Sequence, residues 1–222
     1  MNLSKIKDLD INSNKSVFKG RSLLDIYYKV LSNSNSWDVM LGYFSLSAIR
    51  LLAYPLSKFI TQNSGKIRIY CNERFSERDF NSLIRSKEKF ISTRVYKDLL
   101  TLKNALSDTN SNLFIDCISY LIHNDLLEIK VLTGLKDSSA IAHQKNSIFK
   151  DPSGNCVVLS GSANASEQGF LFNREDTNAF CSFWNEISTQ SKIDTYQEDF
   201  EKTFKHGDGD WKILEIDSNE VK

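Results

Sequence analysis

Residues 142–164 read AHQKNSIFKDPSGNCVVLSGSAN: a run of strand formers, a turn, a second run, and then a stop made of small residues. Ala142 to Phe149 and Cys156 to Ser160 are short and β-branched or alternating, and Asp151-Pro152-Ser153-Gly154-Asn155 between them favours a tight reversal, so the stretch predicts a β-hairpin. Residues i and i+2 of a strand face the same side, so His143 and Lys145 are expected to point together from one face while Gln144 points away. Gly161-Ser162-Ala163-Asn164 follows the second strand and precedes a short helix that Ser166 or Asn164 can cap. A hydroxyl, an amide and free backbone N–H groups then sit where an anion is favoured. Glu175, thirteen residues past Ser162, falls at the far end of that helix, placed to accept the Nδ1 proton of His143 and leave Nε2 free to attack.

Outward from this hairpin, strands and helices alternate. Trp37 to Phe44 (WDVMLGYF) reads as a strand, and Ser45 with Ser47 can cap a helix through Ile49, Leu51, Leu52, Leu56 and Ile60. Gly65 closes that helix, and Lys66 to Cys71 (KIRIYC) alternates like a second strand. A helical period with the turn-rich interruption Ser107 to Asn112 marks residues 74–125 as a mostly helical insert. Leu127 to Leu132 (LEIKVL) and Asn178 to Trp184 (NAFCSFW) complete the strands. The order predicts an α/β fold: a mixed β-sheet flanked by helices, over residues 1–185. Residues 186–222 read as an acidic C-terminal extension or linker, with Trp211 to Ile216 (WKILEI) a strand toward a partner domain.

Composition narrows the classes. The chain has 222 residues, 41% of them apolar, enough for one well-buried domain. No charged start with an apolar run and no long apolar stretch occurs, so a soluble, cytoplasmic protein is expected, with no membrane partner. Cys71, Cys117, Cys156 and Cys181 form no C-x-x-C pair and suggest neither a zinc site nor a disulfide framework. Net charge is zero, but residues 74–103 carry eight Lys or Arg against four Asp or Glu, and residues 186–222 carry five against ten. Such runs are ordinarily solvated helix faces; here the basic one is also the place to look for a polyanion.

With H-x-K, G-S-x-N and a downstream glutamate in this order, the chain resembles the phospholipase D superfamily, over about Trp37 to Trp184. It looks most like the single-motif branch that holds small Nuc-type endonucleases, restriction endonucleases and helicase-associated nucleases. The resemblance implies an α-β-α sandwich and a phosphodiesterase that needs no metal and no cofactor. His143, Lys145, Ser162, Asn164 and Glu175 take the catalytic positions. The chain departs from the family twice. The aspartate commonly found five residues after the lysine is replaced by Lys150, and Asp151, one place later, reads as a turn residue. Only one motif copy is present, since His123 and His206 lack the following lysine, so a homodimer is implied, each subunit supplying one imidazole.

DNA is the expected substrate, its backbone tracked by Arg78, Arg85, Lys87, Lys89, Arg94 and Lys97, with Arg68, Tyr70 and Arg74 near the end of a core strand. The expected activity is thus a DNA endonuclease working through a phosphohistidine, in a restriction, defence or helicase-associated setting, with a helicase or other domain beyond residue 222 as partner. Three alternatives stay open. A lipid phosphodiester is the family's other main substrate. Glu128-Ile129-Lys130 with Asp116 mimics the D…E-x-K pattern of magnesium-dependent nucleases. A non-catalytic DNA-binding module of a larger protein would need the fold alone.

Overall fold

The computed structural model describes residues 2–6, 21–42, 50–72, 120–121, 124–136, 140–164, 166–173, 175–184 and 187–215. Helix α1 (Arg21–Leu31), strand β1 (Ser36–Leu41), helix α2 (Ala53–Thr61), strands β2 (Lys66–Asn72), β3 (Leu127–Gly134), β4 (Lys145–Lys150), β5 (Cys156–Gly161) and β6 (Thr177–Cys181), helix α3 (Ile187–His206) and strand β7 (Trp211–Glu215) succeed one another. The strands form one mixed sheet in the order β6-β5-β4-β1-β2-β3-β7. The β1, β2 and β3 strands are parallel neighbours, and every other pairing is antiparallel.

The central strand β1 is buried on both faces, which is why Trp37-Asp38-Val39-Met40-Leu41 reads as a nearly unbroken apolar run. On one face Trp37, Val39, Ile67, Ile69, Phe149, Val157 and Leu159 pack under α1 and α2. On the other, Met40, Tyr70, Ile148, Val158 and Phe180 pack under Ile193, Phe200 and Phe204 of α3. Pro55 sits in the first turn of α2, where its missing N–H costs no helical hydrogen bond.

Residues 187–215, read as an acidic extension, instead supply the second helical layer and an edge strand, with β7 pairing antiparallel with β3. The buried set of α3, Thr189, Ile193, Phe200, Thr203 and Phe204, follows a helical period that the acidic residues of its outer face obscure in the sequence. Arg68 fastens α3 to the sheet. Its guanidinium donates to both oxygens of Asp38 (2.7 and 2.8 Å) and to Glu201 Oε1 (2.6 Å), and lies over the rings of Phe200 and Phe204. Arg68, noted near the end of a core strand beside the expected DNA-tracking cations, is therefore spent inside the fold. Tyr70 is buried as well and donates to Gln144 Oε1 at 3.0 Å. Arg74 and the basic residues Arg78, Arg85, Lys87, Lys89, Arg94 and Lys97 lie outside the described residues, as does most of the expected insert. Among the described residues no helix is long and apolar enough to cross a membrane.

Candidate active site

Sheet register brings the motif residues to one end of the molecule. Leu41, at the end of β1, pairs with Lys145, at the start of β4; Asn146 pairs with Ser160; Gly161, at the end of β5, pairs with Thr177, at the start of β6. Each step is one strand spacing of about 4.8 Å, so the His143, Ser162 and Glu175 segments emerge side by side along one sheet edge.

The hairpin forms as expected except that β4 begins at Lys145, so His143 lies just before the strand. The predicted facing still holds. Lys145 Nζ lies 2.9 Å from His143 Nε2 and donates to the His143 carbonyl at 3.1 Å. An ammonium has only protons to give, so a charged Lys145 makes Nε2 the lone-pair nitrogen and leaves the ring proton on Nδ1. Gln144 points to the other face, between Tyr70 Oη and Asp199 Oδ2 (3.4 Å) of α3, which anchors the segment from behind. Gly42 lies against the imidazole: a β-carbon there would sit 3.4 Å from His143 Cδ2.

Lys145 is buried and His143 exposed. Burial lowers the Lys145 pKa, and the negative charge of Glu175 works against that drop. Glu175 is itself buried beneath Ser162. Its Oε2 accepts a short hydrogen bond from Ser162 Oγ and its Oε1 accepts from Asn173 Nδ2 at 3.0 Å. The carboxylate expected to orient His143 Nδ1 accepts from Ser162 and Asn173, and the groups form two adjoining pairs, His143–Lys145 and Ser162–Glu175. Asn173 went unnoticed in the sequence; its only signal is the i, i+2 spacing to Glu175.

Gly161 is required by close approach. A β-carbon there would lie 1.9 Å from the Asp176 carbonyl oxygen, the same oxygen that accepts from Ser162 N–H at 2.9 Å. Asp176 N–H in turn donates to Ser162 Oγ at 3.0 Å. After Asn164 the expected short helix is a π-helical turn, Gln168–Phe172. Ser166 is its capping residue, accepting from Gly169 N–H at 3.1 Å. Asn164 Oδ1 is buried without a hydrogen-bond partner among the described residues, a state that costs about 1–3 kcal/mol unless something donates to it.

Two sequence alternatives meet the geometry here. Asp151 is a turn residue: it accepts from the backbone N–H of Leu3 (2.7 Å), Ser153 (2.9 Å) and Asn155 (3.0 Å), at the far end of β4 from His143. Glu128 sits at the start of β3, away from the motif end, beside Lys66 (3.8 Å) and Lys130 (3.5 Å); Asp116 lies outside the described residues.

No protein-family model and no curated protein matches the chain. Solved structures do. A phosphatidylserine synthase from Haemophilus influenzae superposes with a TM-score of 0.51 at 12% identity, covering 93% of this chain and 39% of that one. NucT from Helicobacter pylori gives 0.49 at 17% identity, over 91% and 98% of the two chains. Nuc from Salmonella typhimurium, a phospholipase D family member, gives 0.42 at 14%, over 83% and 93%. Identities this low speak to architecture alone. The seven-stranded mixed sheet between helical layers is thus an α/β fold shared with that phosphatidylserine synthase.

Proposed function

We propose that the chain is a phosphodiesterase, a DNA endonuclease that needs no metal and works as a homodimer through a covalent phosphohistidine. The observation that carries this reading is the meeting of an exposed imidazole, a buried lysine and a carboxylate-held serine at one sheet edge.

In the first step His143 Nε2 of one subunit attacks phosphorus. A P–N bond forms, the P–O bond to the leaving oxygen breaks, and the second subunit's copy of this histidine gives that oxygen a proton. In the second step the same histidine takes a proton from water, the oxygen attacks phosphorus, and the P–N bond breaks. General acid–base help of this sort contributes about a hundredfold to ten-thousandfold in rate. Lys145 holds Nε2 before substrate arrives and turns its ammonium to a nonbridging oxygen as the ring becomes covalently engaged. Asn164 and the Ser162 hydroxyl add polar contacts, Glu175 holding the latter in place. A restriction, defence or helicase-associated setting and a further domain as partner fit such an activity.

The test is incubation of the purified protein with plasmid and oligonucleotides in EDTA, followed by a search for acid-labile phosphate on His143. Cleavage in chelator with phosphate on that residue is expected. His143→Ala should abolish cleavage and keep DNA binding. A wild type that binds DNA and never cuts a phosphodiester would instead make this a binding module, and cleavage restored only by magnesium would sink the phosphohistidine route.

A further inference from the structure

The π-helical turn beside Glu175 sends its two phenylalanines in opposite directions. Phe170 is 1% exposed and packs edge-on against Tyr27 with ring centroids 4.9 Å apart, whereas Phe172 is 72% exposed. Leaving such a ring in water forgoes about 1.5–3 kcal/mol of burial. The turn is not loose: Asn173 N–H bonds the Gln168 carbonyl at 2.8 Å, and the Asn173 side chain bonds Glu175. Phe172 is three residues from Glu175, so its Cα lies within about 11 Å of that residue's. The other segment entering the site is also apolar at its surface, with Ile141, two residues before His143, 39% exposed.

The surroundings indicate what the ring meets. Its near neighbours in the chain Glu167, Gln168, Asn173 and Asp176 are exposed, so among the described residues of this segment it is the one exposed aromatic in a polar, partly acidic setting. A lipid surface calls for a broad apolar face with basic flanks, and among the described residues of this turn there is neither. The two carboxylates also repel a phosphate, so what the ring meets is the uncharged part of a nucleotide while the phosphate goes to Lys145. An aromatic ring stacks on any base, but only on a base whose face is free, and inside a duplex both faces are covered.

Resting on the phosphodiesterase reading, we propose that Phe172 is a stacking platform for an unpaired nucleobase next to the scissile phosphate, which makes single-stranded DNA the preferred substrate class. Stacking is a contact to the substrate, independent of the bond-making groups, and its loss falls on substrates that carry a base at that place.

The experiment compares wild type, Phe172→Ala and Phe172→Trp on a single-stranded oligonucleotide, its duplex, and a single strand with a run of abasic sites. Wild type should cleave the single strand in preference to the duplex. Phe172→Ala should lower kcat/KM on the single strand by about five- to a hundredfold, the range for one stacked base, with an unchanged Tm. Phe172→Trp should restore most of it, and the abasic strand should be cut alike by all three. Equal cleavage of the single strand by wild type and Phe172→Ala, an equal loss on the abasic strand, or a preference for duplex would overturn the proposal. So would Phe172-dependent binding to phosphatidylglycerol vesicles without effect on DNA. If wild type cuts none of the substrates, the phosphodiesterase reading fails by itself. Stacking is then read from fluorescence anisotropy, where equal single-strand affinity of wild type and Phe172→Ala overturns it.

Discussion

Replacing Gly161 by alanine should damage fold and site together, because one carbonyl oxygen is asked to serve both. The new methyl would lie 1.9 Å from the Asp176 oxygen and 2.8 Å from Thr177 Cα, where real contacts stay beyond 3.0 Å. β5 and β6 must therefore part by more than an ångström. That opening breaks the reciprocal bonds Ser162 N–H to Asp176 O (2.9 Å) and Asp176 N–H to Ser162 Oγ (3.0 Å). Overpacking costs about 1–3 kcal/mol and two hydrogen bonds about 1 kcal/mol each, so a loss of about 3–5 kcal/mol follows. In a domain of this size that lowers Tm by about 10 °C. Displacing Ser162, and with it the Glu175 contact, by this distance should cost about a hundredfold in cleavage rate. Gly154→Ala is the control. Gly154 has φ +85° and open space around it, in the turn at the opposite end of β4 and β5. Strain there should cost about 1–2 kcal/mol and leave cleavage untouched. Thermal unfolding by circular dichroism and oligonucleotide cleavage in EDTA measure both. A Gly161→Ala protein that melts within a degree or two of wild type and cuts at the normal rate would refute the close-approach explanation.

Lys145→Met should raise stability by about 1 kcal/mol while lowering cleavage about a hundredfold or more, since it removes a buried charge and the cation proposed for the nonbridging oxygens. With the folded pKa of Lys145 lowered, the unfolded chain holds the extra proton, so wild-type stability rises with pH between the folded value and the ordinary 10.5. Urea titrations across that range should show the rise in wild type and its loss in the variant. Asp151→Asn should cost about 2–3 kcal/mol at pH 7, because three backbone donors then face an amide in place of a carboxylate. Burial pushes the Asp151 carboxyl up, but hydrogen bonds from Asn155, Leu3 and Ser153 outweigh it and leave its pKa lowered. Its contribution is therefore complete above the ordinary value of 3.8 and fades as pH falls through the folded value; the gap between wild type and variant should close on acidification, while cleavage at neutral pH stays unchanged.

Much of this arrangement is legible along the chain because its signals are local. The i, i+2 spacing of His143 and Lys145 survives the later start of β4, since the approach to the strand keeps both side chains together. The turn chemistry of 151–155 is met donor by donor. What the sequence hides is set by partners distant in number. Arg68 looks like a free cation until Asp38 and Glu201 are seen on either side of it. The acidic tail looks detached because the charges on one face of α3 outweigh, in any window, the five positions it buries. Glu175, at the far end of the short helix, reads as a partner of His143, while its bonds to Ser162 and Asn173 follow a π-helical turn that no local pattern announces.

The strand order also governs when the molecule becomes whole. Ser36 of β1 finds Lys66 on one side soon after it in the chain, but its other neighbour, Lys150, is synthesised far later. Closing so large a loop is slow, and every group of the site belongs to the late partner or beyond it. A nascent polypeptide can thus acquire its parallel strands first, and the groups proposed for catalysis are gathered only when the final hairpin zips onto the waiting strand.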